Sequence, residues 1–195
     1  MPRLFVALVP PADVTERLCQ LMGGVPGARW QTPEQIHLTL RFIGEVCASQ
    51  QRDFEDALAP IDLPPFDLSL EGVGHFGDKR RPRLIWAGVA PNPSLNRLRE
   101  KVERALTLAG LPASSQKFHP HVTLARLKQA PMSHVGRFLA ANSPFLSRPF
   151  RIDGFTLFSS RLGAGGACYF PEAEYLFSGA TTMPEPEAQE DRFIA

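Results

Sequence analysis

Two short strings carry residue types suited to chemistry: His37-Leu38-Thr39-Leu40 and His121-Val122-Thr123-Leu124. Each lies in an apolar run that reads as a β-strand, Ile36 to Ile43 and Phe118 to Leu127. Side chains alternate between the two faces of a strand. His37 and Thr39 therefore share one face, with Leu38 and Leu40 behind them, and His121 and Thr123 repeat the pattern. Two such strands side by side would line a groove with two imidazoles and two hydroxyls. Imidazole titrates near neutrality, so one ring can be neutral while its partner is protonated. The neutral ring can take a proton from an attacking water, and the imidazolium can protonate a departing alkoxide. Threonine hydroxyls can donate hydrogen bonds to phosphoryl oxygens as their charge redistributes in the transition state. The constellation suits acid–base chemistry on an anionic ester.

A cation would strengthen such a site, and Arg126 is the nearest candidate. Its odd offset from His121 puts it on the opposite face of an ideal strand. It reaches the groove only if the strand ends, twists or bulges after Leu124. His119 lies two residues before His121, a spacing from which two imidazoles can hold zinc, but no third ligand stands nearby and Pro120 intervenes. His75 and His134 have no partner motif. The run Lys79-Arg80-Arg81 with Arg83 reads as a charged hairpin loop, with guidance of an RNA strand as the alternative.

The elements that must position these residues follow from hydrophobic period and punctuation. Strands are expected at Leu4 to Val9, Ala28 to Gln31, Ile36 to Ile43 (ended by Gly44), Phe66 to Phe76, Leu84 to Val89, Phe118 to Leu127, Phe150 to Ser159 and Tyr169 to Phe177. Helices are expected at Ala12 to Met22, Ser49 to Leu58, Ser94 to Ala109 and Ser133 to Ala141. The third is the clearest, with Leu95, Leu98, Val102, Ala105, Leu106 and Ala109 at helical spacing and Gly110 just beyond. The strands from Phe66 and Leu84 are expected to pair antiparallel. After Gly179 the composition turns to Pro, Glu, Gln and Thr, which predicts a disordered tail over 179–195 behind one domain spanning 1–178.

The 195 residues carry a formal net charge of +1, so bulk attraction to nucleic acid is not indicated and any phosphate contact must be local. Cys19, Cys47 and Cys168 are odd in number and widely spaced, which argues against a disulfide framework or zinc knuckle and for free thiols in a reducing compartment. The opening apolar run is too short for a signal sequence and nothing reaches the length of a membrane span. The expectation is a cytoplasmic monomer. No Gly-rich phosphate loop or dinucleotide fingerprint is present.

With both motifs in view, the chain resembles the two-histidine phosphoesterases. The strings His37-Leu38-Thr39-Leu40-Arg41-Phe42-Ile43-Gly44 and Pro120-His121-Val122-Thr123-Leu124-Ala125-Arg126 are most similar to the RNA 2′,3′-cyclic phosphodiesterase (2′-5′ RNA ligase-like) family, and Arg3-Leu4-Phe5-Val6-Ala7-Leu8 resembles its first strand. The resemblance implies an α+β bilobal fold. Two pseudo-symmetric lobes, each an antiparallel sheet with flanking helices, would enclose an active-site groove. It also implies hydrolysis of an RNA-terminal 2′,3′-cyclic phosphate to a 2′-phosphate without metal or other cofactor. By similarity His37 is the general acid and His121 the base, with the labels exchanged if substrate binds the other way round. Thr39, Thr123 and Arg126 would hold the phosphate and Phe42 would stack on the terminal base, although Phe42 shares the face problem of Arg126. The partners implied are RNA 3′ ends or nucleotides with a 2′,3′-cyclic phosphate. Rival readings are 2′-5′ RNA ligation, hydrolysis of a small cyclic phosphate metabolite and, from another class, a non-catalytic RNA-end-binding module.

Overall fold

The computed structural model describes residues 2–78, 81–163 and 166–180. Most of the predicted run of Lys79-Arg80-Arg81 and nearly all of the predicted tail therefore lie outside the described residues. The chain begins with strand β1 (Arg3–Leu8), helix α1 (Ala12–Leu21), β2 (Ala28–Trp30), a 3-10 turn (Pro33–Gln35), β3 (Leu38–Glu45) and α2 (Ala48–Leu58). It continues through β4 (Phe66–Leu68), β5 (Leu70–Gly77), β6 (Pro82–Val89) and α3 (Pro93–Leu108). The last elements are β7 (His121–Leu127), α4 (Met132–Asn142), β8 (Phe150–Ile152), β9 (Gly154–Gly163) and β10 (Gly166–Leu176). No helix among the described residues is long and apolar enough to cross a membrane.

The fold is α+β, and its large sheet runs in the order β10-β9-β1-β3-β7-β6-β5, with antiparallel pairing throughout. Among the described residues its two halves, β10-β9-β1-β3 and β7-β6-β5, meet at a single pair, Leu38 opposite Val122. The same half of the chain reaches β7 once more, where β2 pairs Ala28, Arg29 and Trp30 with Leu127, Arg126 and Ala125. The 3-10 turn then carries the chain off to begin β3. A sheet tied at so few points between its halves opens into a groove along that seam.

Two predicted strands are each split. Phe66 to Phe76 breaks into β4 and β5, and Phe150 to Ser159 breaks into β8 and β9. β4 pairs with β8 in a separate two-stranded sheet, whereas β5 and β9 join the large one. The corners are Ser69 and Asp153, whose carbonyls accept from Ala90 and Phe177 instead of continuing a ladder. One-residue corners of this kind leave the period-two pattern nearly intact, so hydrophobicity does not reveal them. β3 also runs one residue past the predicted stop at Gly44, and β7 begins only at His121, because Pro120 cannot donate a ladder hydrogen bond. β5 and β6 pair antiparallel as expected.

The core lies between the sheet and its helices. Leu4, Val6 and Leu8 of β1 pack into it with Leu38 and Leu40, Val122 and Leu124, and the α3 stripe Leu95, Leu98, Val102 and Leu106. Each of those α3 side chains is fully buried and contributes roughly 1.5–3 kcal/mol by leaving water. Asn92 caps α3 by accepting from the Leu95 N–H at 3.0 Å, and Pro93 opens its first turn. β1 is buried on both faces. Phe5, on the face away from the helices, stacks on Phe158 and underlies the groove.

Gly27 sets the approach of β2 to β7. Its φ is +77°, and a Cβ there would stand 2.4 Å from the Lys128 carbonyl oxygen, while its own carbonyl accepts from the Lys128 N–H at 2.9 Å. Gly110 has a similar φ of +97° but open space around it. Gly110→Ala should cost only the left-handed backbone penalty, roughly 1–2 kcal/mol. Gly27→Ala should cost clearly more, read as a larger drop in urea midpoint at unchanged m-value. Equal losses at both positions would contradict this account of the β2–β7 junction.

Candidate active site

The seam between the half-sheets opens into a cavity of about 580 Å³ whose lining includes His37, Thr39, Phe42, His121, Thr123 and Arg126. All six residues singled out in the sequence thus border one space. The Leu38–Val122 pair explains why. Antiparallel register carried one step either way sets His37 across from Thr123 and Thr39 across from His121. The arrangement has the symmetry of a two-fold axis through that pair.

Arg126 and Phe42 reach the cavity by bulges at equivalent places. On β7, Ile85 faces Ala125 and Trp86 faces Thr123, so Leu124 is an extra residue. On β3, Val6 faces Arg41 and Ala7 faces Thr39, so Leu40 is the extra one. Each bulge falls three residues after its histidine and inverts the alternation over the residues that follow, up to a second irregularity at Ile43 on β3, where Leu4 faces Gly44 and Phe5 faces Phe42. Leu124 and Ala125 are accordingly both buried, and Arg126 emerges on the same side as His121. Likewise Leu40 is buried, Arg41 turns to a buried-side ion pair with Glu103 at 2.9 Å, and Phe42 emerges beside His37, 64% exposed.

Each imidazole is fixed by the same local contact. His37 Nδ1 lies 2.8 Å from the Gln35 carbonyl oxygen and His121 Nδ1 lies 2.7 Å from that of His119. A carbonyl can only accept, so in both rings Nδ1 carries the proton and donates, leaving Nε2 as the nitrogen free to exchange one. Gln35 is itself anchored, its side-chain amide donating to the Ala167 carbonyl at 2.7 Å and its oxygen accepting from the Thr32 N–H at 3.1 Å. Aromatic rings complete both settings. His37 packs on Phe5, with centroids 4.9 Å apart, and edge-on to Tyr169 at 5.0 Å; His121 stands edge-on to Phe76 at 4.9 Å.

Those apolar neighbours remove water, which disfavours the charged ring. Burial is the main cause that pushes His37 down to about 4, against a smaller upward pull from the Gln35 carbonyl, with the positive charges of His121 and Arg126 adding to the fall. Burial also lowers His121, opposed by the His119 carbonyl and reinforced by the charge of His119. Both rings are therefore predominantly neutral at neutral pH.

The cavity is cationic. Arg3, Arg29 and Arg126 line it, and no described Asp or Glu does. Arg3 is tied to Glu45 at 2.9 Å. Arg29 arrives because it sits opposite Arg126 in the β2–β7 register. Its guanidinium lies against Gly166, where a Cβ would come within 1.6 Å of it. Arg29, Gln31, Phe5 and Tyr169 were not singled out in the sequence. Phe5 reads there only as one more apolar residue of a buried strand, and the others carry no motif. His119 stays off this cavity, against Trp86 at 5.0 Å between centroids and Phe76 at 5.3 Å. Among the described residues no three of His, Cys, Asp and Glu converge as they would to hold a metal ion.

The model of the LigT like Phosphoesterase family matches residues 8–86 and 88–169. An RNA 2′,3′-cyclic phosphodiesterase of Thermotoga maritima is 31% identical over 183 residues, covering 91% of this chain and 96% of that protein. One from Aeropyrum pernix is 46% identical over 98 residues, which span 50% of this chain and just over half, 56%, of that protein. The crystal structure of Escherichia coli LigT complexed with 3′-AMP superposes with a TM-score of 0.73 at 26% identity, over 91% of this chain and 99% of that one. Paired histidine strands, their matching bulges and these likenesses lead to one statement of kinship: the chain belongs to the LigT-like phosphoesterase family.

Proposed function

We propose that the protein hydrolyses the 2′,3′-cyclic phosphate at RNA 3′ ends, or on nucleotides, to a 2′-phosphate. One observation carries this reading: two imidazoles, each with Nδ1 bound to a carbonyl and Nε2 left free, border the same cation-lined cavity. The names of the relatives support the substrate. In this mechanism His121 Nε2 takes a proton from a water as its oxygen attacks phosphorus. The P–O3′ bond breaks, and the electron pair leaves with O3′, which receives the proton held on His37 Nε2. The product has a 3′-hydroxyl and a 2′-phosphate, with the proton now on His121 for return through solvent. Thr39 and Thr123 donate to the non-bridging oxygens and Arg126 offers them its fork. Phe42 presents an exposed ring to the terminal base, a contact that tolerates any sequence. No metal or other cofactor takes part. Both histidines come from one chain, which suits a monomer, and the three free cysteines, two of them exposed, suit the reducing cytoplasm.

Burial holds both rings neutral at neutral pH, yet the reaction needs one of them protonated. The phosphodiester's negative charge supplies the bias, because an anion beside an imidazole favours the imidazolium. In the free enzyme a singly protonated pair is most populated below the ordinary histidine value of 6.5, and with His37 pushed down to about 4 the bound anion must draw the proton to that ring. The profile of kcat/KM should therefore be bell-shaped with its maximum below pH 6.5. The alkaline limb of kcat, which reports the complex, should lie at higher pH. A kcat/KM that is flat from pH 5 to 9, or still climbing at pH 8, would contradict the paired-imidazole site.

His37→Ala and His121→Ala should each lower kcat/KM by about 10²–10⁴-fold, and the double variant by little more than either, because the two rings act in one step. Arg126→Lys should fall short of rescuing Arg126→Ala, since an ammonium lacks the two-pronged geometry. The measurement is turnover, with chelator present, of an oligoribonucleotide ending in a 2′,3′-cyclic phosphate, with the product's phosphate position identified. A 3′-phosphate product, or activity surviving in the double variant, would overturn the assignment. Joining to a 5′-hydroxyl strand would favour ligation, and tight binding without turnover a recognition module.

A further inference from the structure

A second groove, of about 880 Å³, lies beside the catalytic cavity and shares Thr39, Phe42 and His121 with it. Its outer wall is the segment 111–120 that joins α3 to β7. The wall is built rather than slack. Arg41 donates to the Pro112 carbonyl at 2.6 Å, and Glu103 Oε1 accepts from the Ser114 N–H at 2.7 Å. The other Glu103 oxygen meets Arg41 Nε at 2.9 Å and Arg99 at 3.5 Å, so one carboxylate serves two guanidiniums. Arg99 also lies over the Phe118 ring, 5.5 Å from its centroid. Arg41, Arg99 and the exposed Lys117 line the groove, and no described Asp or Glu does. Exposed Phe42 forms the ridge between the two spaces, and Phe118 and His119 offer further ring surfaces.

We infer that this groove holds the RNA chain on the 5′ side of the reacting nucleotide, with Lys117 meeting a backbone phosphate. The inference rests on the phosphodiesterase reading and extends it from the terminal phosphate to the length of the substrate. A surplus of cations interleaved with ring faces along an open trough is the chemistry that binds single-stranded nucleic acid. A terminal nucleoside stacked on Phe42 sends the preceding nucleotides into this trough, because Phe42 borders both spaces. A mononucleotide fills only the catalytic cavity and gains nothing from Lys117.

The test compares kcat/KM for adenosine 2′,3′-cyclic phosphate and for a hexaribonucleotide with the same end, in the wild type, Lys117→Ala and Lys117→Glu. The wild type should favour the hexamer about tenfold or more, through KM. Lys117→Ala should reduce that preference several-fold and Lys117→Glu further, with mononucleotide turnover unchanged. The salt dependence of hexamer binding should become shallower by about 0.7 in log–log slope in Lys117→Ala. A wild type indifferent to length, or variants that slow both substrates equally, would overturn the inference. If neither substrate turns over, the hydrolase reading fails separately. The groove is then tested by titrating the protein with a fluorescent hexaribonucleotide bearing a 3′-phosphate. Binding that Lys117→Glu weakens supports the groove, and binding that ignores the substitution overturns it.

Discussion

The structure depends on one narrow join. Leu38 opposite Val122 ties β3 to β7, and because the pairing is antiparallel it relates the two His-x-Thr strings by a local two-fold axis. A slip of one residue in that register would swap buried leucines for histidines across the whole seam. The packing of Leu38, Leu40, Val122 and Leu124, each at most 3% exposed, makes such a slip prohibitive. Hydrophobic burial thus sets the alignment of the polar groups in front of it. The rest of the sheet supports that join: β1 buttresses β3 and places Phe5 under His37, and β6 and β5 buttress β7 and place Phe76 beside His121.

A regular strand could not deliver this site. It would set the residues five positions after each histidine, Phe42 and Arg126, on the core face. Bulges at Leu40 and Leu124 resolve the conflict by spending one extra residue on the apolar side. They also divide the symmetry into two roles, since the equivalent positions hold an aromatic ring on one side and a guanidinium on the other. The site is chemically asymmetric on a symmetric frame, which fits the proposed stacking of a base on one side and holding of a phosphate on the other. Desolvation supplies the electrostatic half of the design: the apolar surroundings of both rings disfavour their charged forms, which an anion beside them would favour.

Much of this is legible in the sequence, for identifiable reasons. The α3 stripe and the two His-x-Thr strands show because periodicity survives wherever an element is regular and faces one core. The bulges do not show directly, because a strand pattern read with strict period two has no place for an extra residue; the offset of Arg126 calls for an end, a twist or a bulge after Leu124, and the structure supplies the bulge. The corners at Ser69 and Asp153 are hidden because a strand can change sheets without changing its alternation. Arg29 enters the cavity through the β2–β7 register, and Tyr169 through a β9–β10 hairpin set beside β1 by the distant β1–β9 pairing; no local string announces either. His119 shares a face with His121 as its spacing implies, their rings 6.2 Å apart, but it borders the neighbouring groove and not the catalytic cavity.

The central claim is that His37 and His121 act on a single anion. The most direct measurement is an NMR titration of 15N-labelled histidine side chains with and without a nucleoside 2′-phosphate. The account predicts that both rings titrate below the ordinary histidine range in the free protein and that both rise together when the ligand binds. A ligand that moves one ring and leaves the other unchanged would contradict it.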